Sequence, residues 1–367
     1  MQVIHPALKL SLNPVNLQEY PESHREGKAL EIATREARQP FDLSKGPLLR
    51  ARLIQLSETD SRLFLTLHHI IIDAVSLYDV FLPELAALYQ AFTSGNPSPL
   101  PEVSLQYADF AVWQRQSLPK EVLDRQMGYW IEQLADLSPL QLPTDHPHSG
   151  QGTFQGTKQY MTLSPALTEA LKALSRRAGV TLFTLLLTAF KILLSRYTQQ
   201  EDLCVGTVTA GRARPEIEKV MGYFLNTLIL RTDLSGNPRF RDLLPRVEEV
   251  SLLAMAHPDV PFSHLVRTLQ AERQGSQNPL VQVLFVLEPP LSTNALGWTL
   301  DQLDVDTGTA KFDLSVQLEE RGERILGYWE YNTQLFEPTT IARAIGHFQT
   351  LLEEIVVHPE HRISEFS

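Results

Sequence analysis

Two adjacent imidazoles followed closely by a carboxylate, in Leu67-His68-His69-Ile70-Ile71-Ile72-Asp73-Ala74, are the residues of this chain best suited to moving a proton. Imidazoles as a class titrate near neutral pH and act as acid or base. The elements around them follow from composition. Residues 62–67, Arg-Leu-Phe-Leu-Thr-Leu, are short, apolar and bounded, which predicts a buried strand. Alternation along a strand places Leu63, Leu65, Leu67 and His69 on one face and Phe64, Thr66 and His68 on the other, so the two histidines are expected to do different work. Beyond Asp73, the residues Leu77, Val80, Phe81, Leu85, Leu88 and Phe92 fall at helical spacing. Asp73 therefore stands where a strand becomes a helix.

Each of these residues also has a structural reading. A histidine ending an apolar strand is commonly a hydrogen-bonded core residue, and Asp73 is a good N-cap for the helix behind it. By residue type alone, structure outweighs catalysis slightly. A metal site is not expected, because neighbouring strand residues point apart and no further His or Cys cluster completes a ligand set.

The 367 residues suit two lobes, and 43% hydrophobic with 20% charged residues is the composition of a globular protein with a packed interior. The formal net charge of −11 argues against a nucleic-acid or anionic-membrane surface. The single cysteine, Cys204, excludes an internal disulfide, fits a reducing compartment and reads as an inert core thiol. The most apolar segment, residues 180–194, is too short to span a bilayer and contains Lys191, and the N-terminus has no signal-peptide pattern. A cytoplasmic location is expected.

Leu67 to Leu77, LHHIIIDAVSL, resembles the HHxxxDG motif of the condensation domains of nonribosomal peptide synthetases. These belong to the HxxxD acyltransferase superfamily with the chloramphenicol acetyltransferase fold. Further motifs follow in the family's order. Pro40-Phe41-Asp42-Leu43 with Gly46-Pro47-Leu48-Leu49-Arg50-Ala51 is similar to PFDL…GPLLRA, and Tyr107-Ala108-Asp109-Phe110-Ala111-Val112-Trp113 matches YxDFAxW. Gly211-Arg212-Ala213-Arg214-Pro215-Glu216 resembles a GR-x-R/P-E loop, and Gly222-Tyr223-Phe224-Leu225-Asn226-Thr227 looks like GxFVNT. His257-Pro258-Asp259-Val260-Pro261-Phe262-Ser263 parallels HQDxPFE with Ser263 for Glu, and residues 273–280 parallel RDxSRNPL with Gln274 and Gln277 departing. His257 and His264 have no tie to chemistry and read as surface or capping residues.

The resemblance implies an α/β (α+β) fold of two chloramphenicol acetyltransferase-like lobes, each a mixed sheet with helices, meeting at a central cleft. The irregular stretch 138–152, rich in proline and glycine, places the lobe boundary so that residues 1–150 form the N-terminal lobe and 151–367 the C-terminal lobe. Helices are expected over 25–38, 122–137, 165–178, 182–197 and 339–357, strands over 2–12 and 156–163, and a terminal hairpin over 311–318 and 325–331. Pro83 is expected to disturb the helix near Leu82.

The resemblance also implies the chemistry. A donor acyl or peptidyl thioester and an acceptor aminoacyl thioester, each on the phosphopantetheine arm of a carrier protein, are joined by an amide bond, next to an adenylation domain. No cofactor of the domain's own and no metal is needed, since the thioester is already activated. His69 is expected to position or deprotonate the amine, or to stabilise the tetrahedral species; His68 and Asp73 to fix the loop; and Ala74, where the family has Gly, to cost about 1 kcal/mol if the position needs a positive φ or a close approach to a thioester-bearing arm, and to be harmless if its φ is ordinary. Tyr107 and Trp113 are expected in scaffold roles or along a substrate or pantetheine channel, with Gly222 permitting close backbone approach. Asn226 reads equally as a donor to bound pantetheine and as a satisfier of local backbone. Residues 68–73 are not the DxxxxD of heterocyclisation domains, and the kept GxFxNT pattern departs from epimerisation domains, so ordinary condensation is the expected subtype.

Family members carry SxAQxR and RHExLRTxF motifs ahead of these, and an arginine of the latter pairs with the aspartate corresponding to Asp73. Neither motif is present in this sequence, so either the Asp73 motif is held differently here or the chain is a fragment; the fragment reading is favoured, with an unpaired sheet edge and weak activity or stability expected. The competing reading, supported by that loss, by Ala74 and by the departures at Gln274 and Gln277, is a non-catalytic docking surface for carrier proteins or a partner enzyme.

Overall fold

The computed structural model describes residues 3, 10–117, 119–148, 154–269, 280–288 and 306–366, grouped in two compact units. The first unit comprises Met1–Leu118, Arg212–Phe224 and Ser292–Thr307. Its three-stranded sheet has β1 (Val15–Asn16) parallel to β2 (Leu49–Gln55), which pairs antiparallel with β3 (Ser61–Leu67) in the register Leu49↔Leu67. Alternation works as expected along β3. Phe64 packs with Leu17, Ala29, Ile32 and Ile54 beneath α1 (Glu22–Ala37), while Leu65 packs with Leu82 and Ala86 of α2 (Leu82–Thr93). Among the described residues β3 pairs with β2 alone.

The disturbance expected at Pro83 lies just ahead of it. Ser76–Phe81 is a π-helical turn, which absorbs the missing proline N–H before α2 begins. α3 (Tyr107–Ser117) completes this unit. The strand expected over residues 2–12 lies largely outside the described residues; residues 10–12 carry no strand, and pairing starts at β1.

The second unit comprises Pro119–Gly211, Leu225–Leu291 and Gly308–Ser367. It holds α4 (Lys120–Gln133), β4 (Gly156–Thr162), α5 (Pro165–Ala178), α6 (Leu182–Thr198), β5 (Asp202–Thr209), β6 (Asn226–Asp233), α7 (Phe240–Ala256), α8 (Phe262–Thr268), β7 (Val283–Glu288), β8 (Leu314–Arg321), β9 (Arg324–Asn332) and α9 (Pro338–Val357). The six-stranded mixed sheet runs β4-β9-β8-β7-β5-β6. β7 is parallel to both β5 and β8, and the other pairs are antiparallel. α6 is apolar nearly all round and buried from Thr184 to Leu194, so Phe190 meets Phe285, Trp329 and Phe348 at the centre of the core. Cys204 is buried on β5 and desolvation pushes its thiol up to about 12, the inert state expected of it. Among the described residues no single helix is long and apolar enough to cross a membrane.

A single boundary near residue 150 does not describe this division. Trp130 and Leu134 turn the apolar side of α4 into the core of the second unit, so that unit begins at Pro119, and residues 212–224 rejoin the first. Proline-rich irregularity marks a loop; it does not report which core the preceding helix fills.

Candidate functional site

β3 stops at Leu67, one residue short of the histidines. His68 caps a 3₁₀ turn, His69–Ile71, and the two rings are not on opposite faces of a strand as expected. They are nonetheless held in opposite states. His68 Nδ1 accepts from the Ile70 amide at 3.1 Å, so in the neutral ring the proton sits on Nε2. Its ring meets Phe41 edge to face at 5.7 Å, and Arg50 lies 3.9 Å over Phe41, which gives the PFDL segment a role in fixing the first histidine. His69 Nδ1 lies 2.6 Å from the Ile72 carbonyl oxygen. A carbonyl only accepts, so Nδ1 donates and the lone pair of the neutral ring falls on Nε2. His69 is exposed, and no hydrogen bond to its Nε2 occurs among the described residues.

Asp73 is 2% exposed and serves the helix start as expected, its Oδ1 accepting from the Ser76 amide at 2.7 Å. It also has a cationic partner, so this motif is held by an arginine from another segment, the less favoured of the two expected outcomes. Arg212 Nη2 donates to Asp73 Oδ1 at 3.1 Å and to Oδ2 at 3.4 Å, with 5% of the Arg212 side chain exposed. Arg212 belongs to the GRARPE loop, whose likeness to the family was legible while its function was not. Its Nη1 donates to the carbonyls of Ile217 at 2.6 Å and Val220 at 2.8 Å, and its guanidinium lies 4.1 Å over the Phe224 ring. Ser76, which sequence reasoning passed over, ties the cluster together. Its hydroxyl donates to Gly222 O at 2.9 Å and accepts from Gly222 N at 3.0 Å and Arg212 Nη2 at 2.5 Å. The only advance sign of it was its place three residues after a cap candidate.

Asp73 Oδ2 completes its set by accepting from Phe224 N at 3.0 Å. Among the described residues no hydrogen bond joins it to His69, so Asp73 builds the loop without forming a dyad with the imidazole. Ala74 follows without strain. The non-glycine residues with positive φ among those described are Asp136, Gln199 and Asn237, so the methyl group brings no backbone strain here.

Gly222 is needed for space. A Cβ there would sit 2.2 Å from Cδ2 of the Tyr107 ring. Tyr107 in turn donates its hydroxyl to Tyr223 O at 2.8 Å and packs with Phe110 and Phe224 on Ile217 and Val220. Burial, with Tyr223 and Asp73 nearby, pushes its phenol above the usual value, so it stays a donor at neutral pH. Trp113 stacks under Arg214 at 4.1 Å and packs with Phe110. These contacts are scaffold contacts, as the helical spacing implied. Asn226 stands apart in the second unit. Its Nδ2 donates to Pro258 O at 2.9 Å and Val260 O at 2.8 Å, and its Oδ1 accepts from Phe262 N at 3.1 Å, so its amide is committed to the loop carrying His257 and Pro261. The weakened motif at residues 273–280 lies outside the described residues but for Leu280.

The first unit thus brings together His68, His69, Asp73, Ser76, Tyr107, Arg212 and Gly222, with His69 exposed and its Nε2 without a hydrogen bond among the described residues. No cluster of three or more His, Cys, Asp or Glu fit to hold a metal ion occurs among the described residues. A sequence profile of the Condensation domain family matches residues 1–367. One polypeptide of the linear gramicidin synthase of Brevibacillus parabrevis is 45% identical over 369 residues, covering 99% of this chain and 7% of the relative. Chondramide synthase of Chondromyces crocatus is 42% identical over 370 residues, covering 100% of this chain and 9% of the relative. The X-domain from teicoplanin biosynthesis superposes with a TM-score of 0.86 at 27% identity, covering 100% of this chain and 83% of that structure. The chain spans less than a tenth of either curated relative, yet the match runs along its own full length and its fold: it belongs to the condensation domain family, the amide-bond-forming acyltransferase domains of nonribosomal peptide synthetases.

Proposed function

We propose that this chain joins a donor acyl or peptidyl thioester to the amine of an acceptor aminoacyl thioester, both carried on phosphopantetheine arms of carrier proteins, with His69 as the catalytic residue. The carrying observation is the exposed His69 ring, which gives its Nδ1 proton to the Ile72 carbonyl and so presents a basic Nε2. The amine nitrogen bonds to the donor carbonyl carbon while Nε2 takes the amine's proton. The tetrahedral species collapses with cleavage of the carbon–sulfur bond, and the departing thiolate recovers that proton. The amide remains on the acceptor arm. His68 and Asp73 act through the loop, His68 by its bond to Ile70 and Asp73 by its bonds to Ser76, Arg212 and Phe224. Tyr107 holds the Tyr223 carbonyl, Gly222 leaves room for the Tyr107 ring, Trp113 packs under Arg214, and Asn226 supports a loop of the second unit. Carrier proteins and an adenylation domain are the partners, ordinary peptide condensation is the subtype, and the setting is cytoplasmic, where the single buried thiol of Cys204 is at home.

The docking-only reading drew support from the absent motifs, with the Asp73 partner they would bring, from Ala74 and from the departures at Gln274 and Gln277. Arg212 supplies a partner and Ala74 is unstrained, so the first two supports weaken, while Gln274 and Gln277 lie outside the described residues. The test is amide formation from loaded donor and acceptor carriers. His69→Ala is expected to lower turnover by about 10²- to 10⁴-fold, the range of a general base. Parent-like turnover by His69→Ala rejects the assigned role.

A further inference from the structure

We infer that Tyr223 is a positioning residue that holds the His69 imidazole in its working orientation, an inference that rests on the role proposed for His69. The torsion that turns an imidazole about its Cβ–Cγ bond is broad and nearly two-fold, so one hydrogen bond at Nδ1 selects a ring orientation only weakly. A second contact is present. The rings of His69 and Tyr223 lie 5.1 Å apart at 85°, an edge-to-face pair that blocks the imidazole from swinging on that side.

The placement of Tyr223 is tied to the element that carries His69. Ahead of it, Gly222 exchanges two hydrogen bonds with the Ser76 hydroxyl; behind it, the Phe224 amide donates to Asp73; and its own carbonyl accepts from Tyr107. The main chain of residues 222–224 is thus clamped to the turn that follows His69. Asp73, which has no hydrogen bond to His69 among the described residues, acts on the imidazole indirectly by setting where the Tyr223 ring stands. Tyr223 is 38% exposed and outside the buried core clusters, so the fold does not depend on burying its ring. Tyr223 thus stands between a glycine whose Cβ would meet the Tyr107 ring and a phenylalanine under the Arg212 guanidinium.

The test reads the ring itself. In the 367-residue chain labelled with ¹⁵N-histidine, the His69 resonances are assigned by their loss in His69→Ala, and the ratio of Nδ1–H to Nε2–H tautomers is measured at pH 9 for the parent, Tyr223→Phe, Tyr223→Leu and Tyr223→Met. Parent and Tyr223→Phe are expected to share one high ratio. Tyr223→Leu and Tyr223→Met are expected to lower it by about two- to tenfold, the factor carried by an aromatic pair. An unchanged ratio in either folded leucine or methionine variant overturns the inference, and so does an equal loss in Tyr223→Phe, which keeps the ring. Both variants failing to fold would also overturn it, since that assigns the ring to the core. Because the readout needs no turnover, its failure is distinct from failure of the amide-forming role, which the His69→Ala assay decides.

Discussion

Replacing Arg212 by methionine leaves the Asp73 carboxylate buried with amide donors and no countercharge. Both partners are almost fully enclosed, the arginine side chain 5% exposed and the aspartate side chain 0%, so water cannot take the place of the guanidinium. Removing one partner of such a pair costs about 3–5 kcal/mol, while the intact pair can be worth little against an apolar pair of the same volume. The Ser76 and Phe224 amides still reach the carboxylate, and the carbonyls of Ile217 and Val220 lose a donor as well. The first unit should therefore open more often around residues 73–76 and 222–224. A cost of that size corresponds to roughly 10²- to 10⁴-fold faster amide exchange in those segments. Hydrogen exchange read by mass spectrometry, with the amides of Ser76 and Phe224 as reporters, measures it directly. The double variant Arg212→Met with Asp73→Leu should recover part of the loss, since no charge is then left unpaired. Exchange within about fivefold of the parent in Arg212→Met, or a double variant as unstable as the sum of the singles, would refute the argument that this pair holds the histidine turn.

Two further outcomes follow from other sites. Gly222→Ala places a methyl 2.2 Å from Tyr107 Cδ2 and should lower stability by about 1–3 kcal/mol in urea titration, with relief on adding Tyr107→Leu; no loss would mean that the ring is free to move away. Lys191 is buried and donates to Leu230 O and Thr232 Oγ1, and desolvation lowers its pKa from 10.5 to about 7. Across that window the unfolded chain holds the proton and the folded chain does not, so stability rises with pH. From pH 7 to 8, below the ordinary thiol range in which unfolded Cys204 ionises and opposes it, the rise should reach about 1 kcal/mol and flatten in Lys191→Met; a pH profile identical in the two proteins contradicts this.

Much of the architecture is legible from residue order. The alternation of residues 62–67 reports a strand, though a half-buried one with Leu63 exposed and not the buried strand expected, because a sheet of three strands covers it incompletely; the all-round apolar run of residues 182–194 reports a buried helix. The chemistry-bearing types are legible too, because an imidazole pair followed by a carboxylate needs no partner to be recognised in a string, and the ordered motifs point to one family. Periodicity also placed Tyr107, Phe110 and Trp113 correctly as packing residues.

Periodicity does not name partners. Asp73 and Arg212 are 139 positions apart, and the pairing exists because the chain of the 212–224 segment returns to the first unit, which no local pattern reveals. The same return brings Tyr223 to His69 and denies the division at residue 150. The proton positions on His68 and His69 were equally out of reach, since they depend on whether an amide or a carbonyl of the turn faces each Nδ1. Asn226 shows the limit from the other side: its type suits a ligand as well as a loop, and its three backbone contacts to residues 258–262 come only from the tertiary structure. Residue order determined what is buried and which groups could react. The path of the chain decided which donor meets which acceptor, because a hydrogen bond is set by orientation within a few ångströms and not by spacing along the sequence.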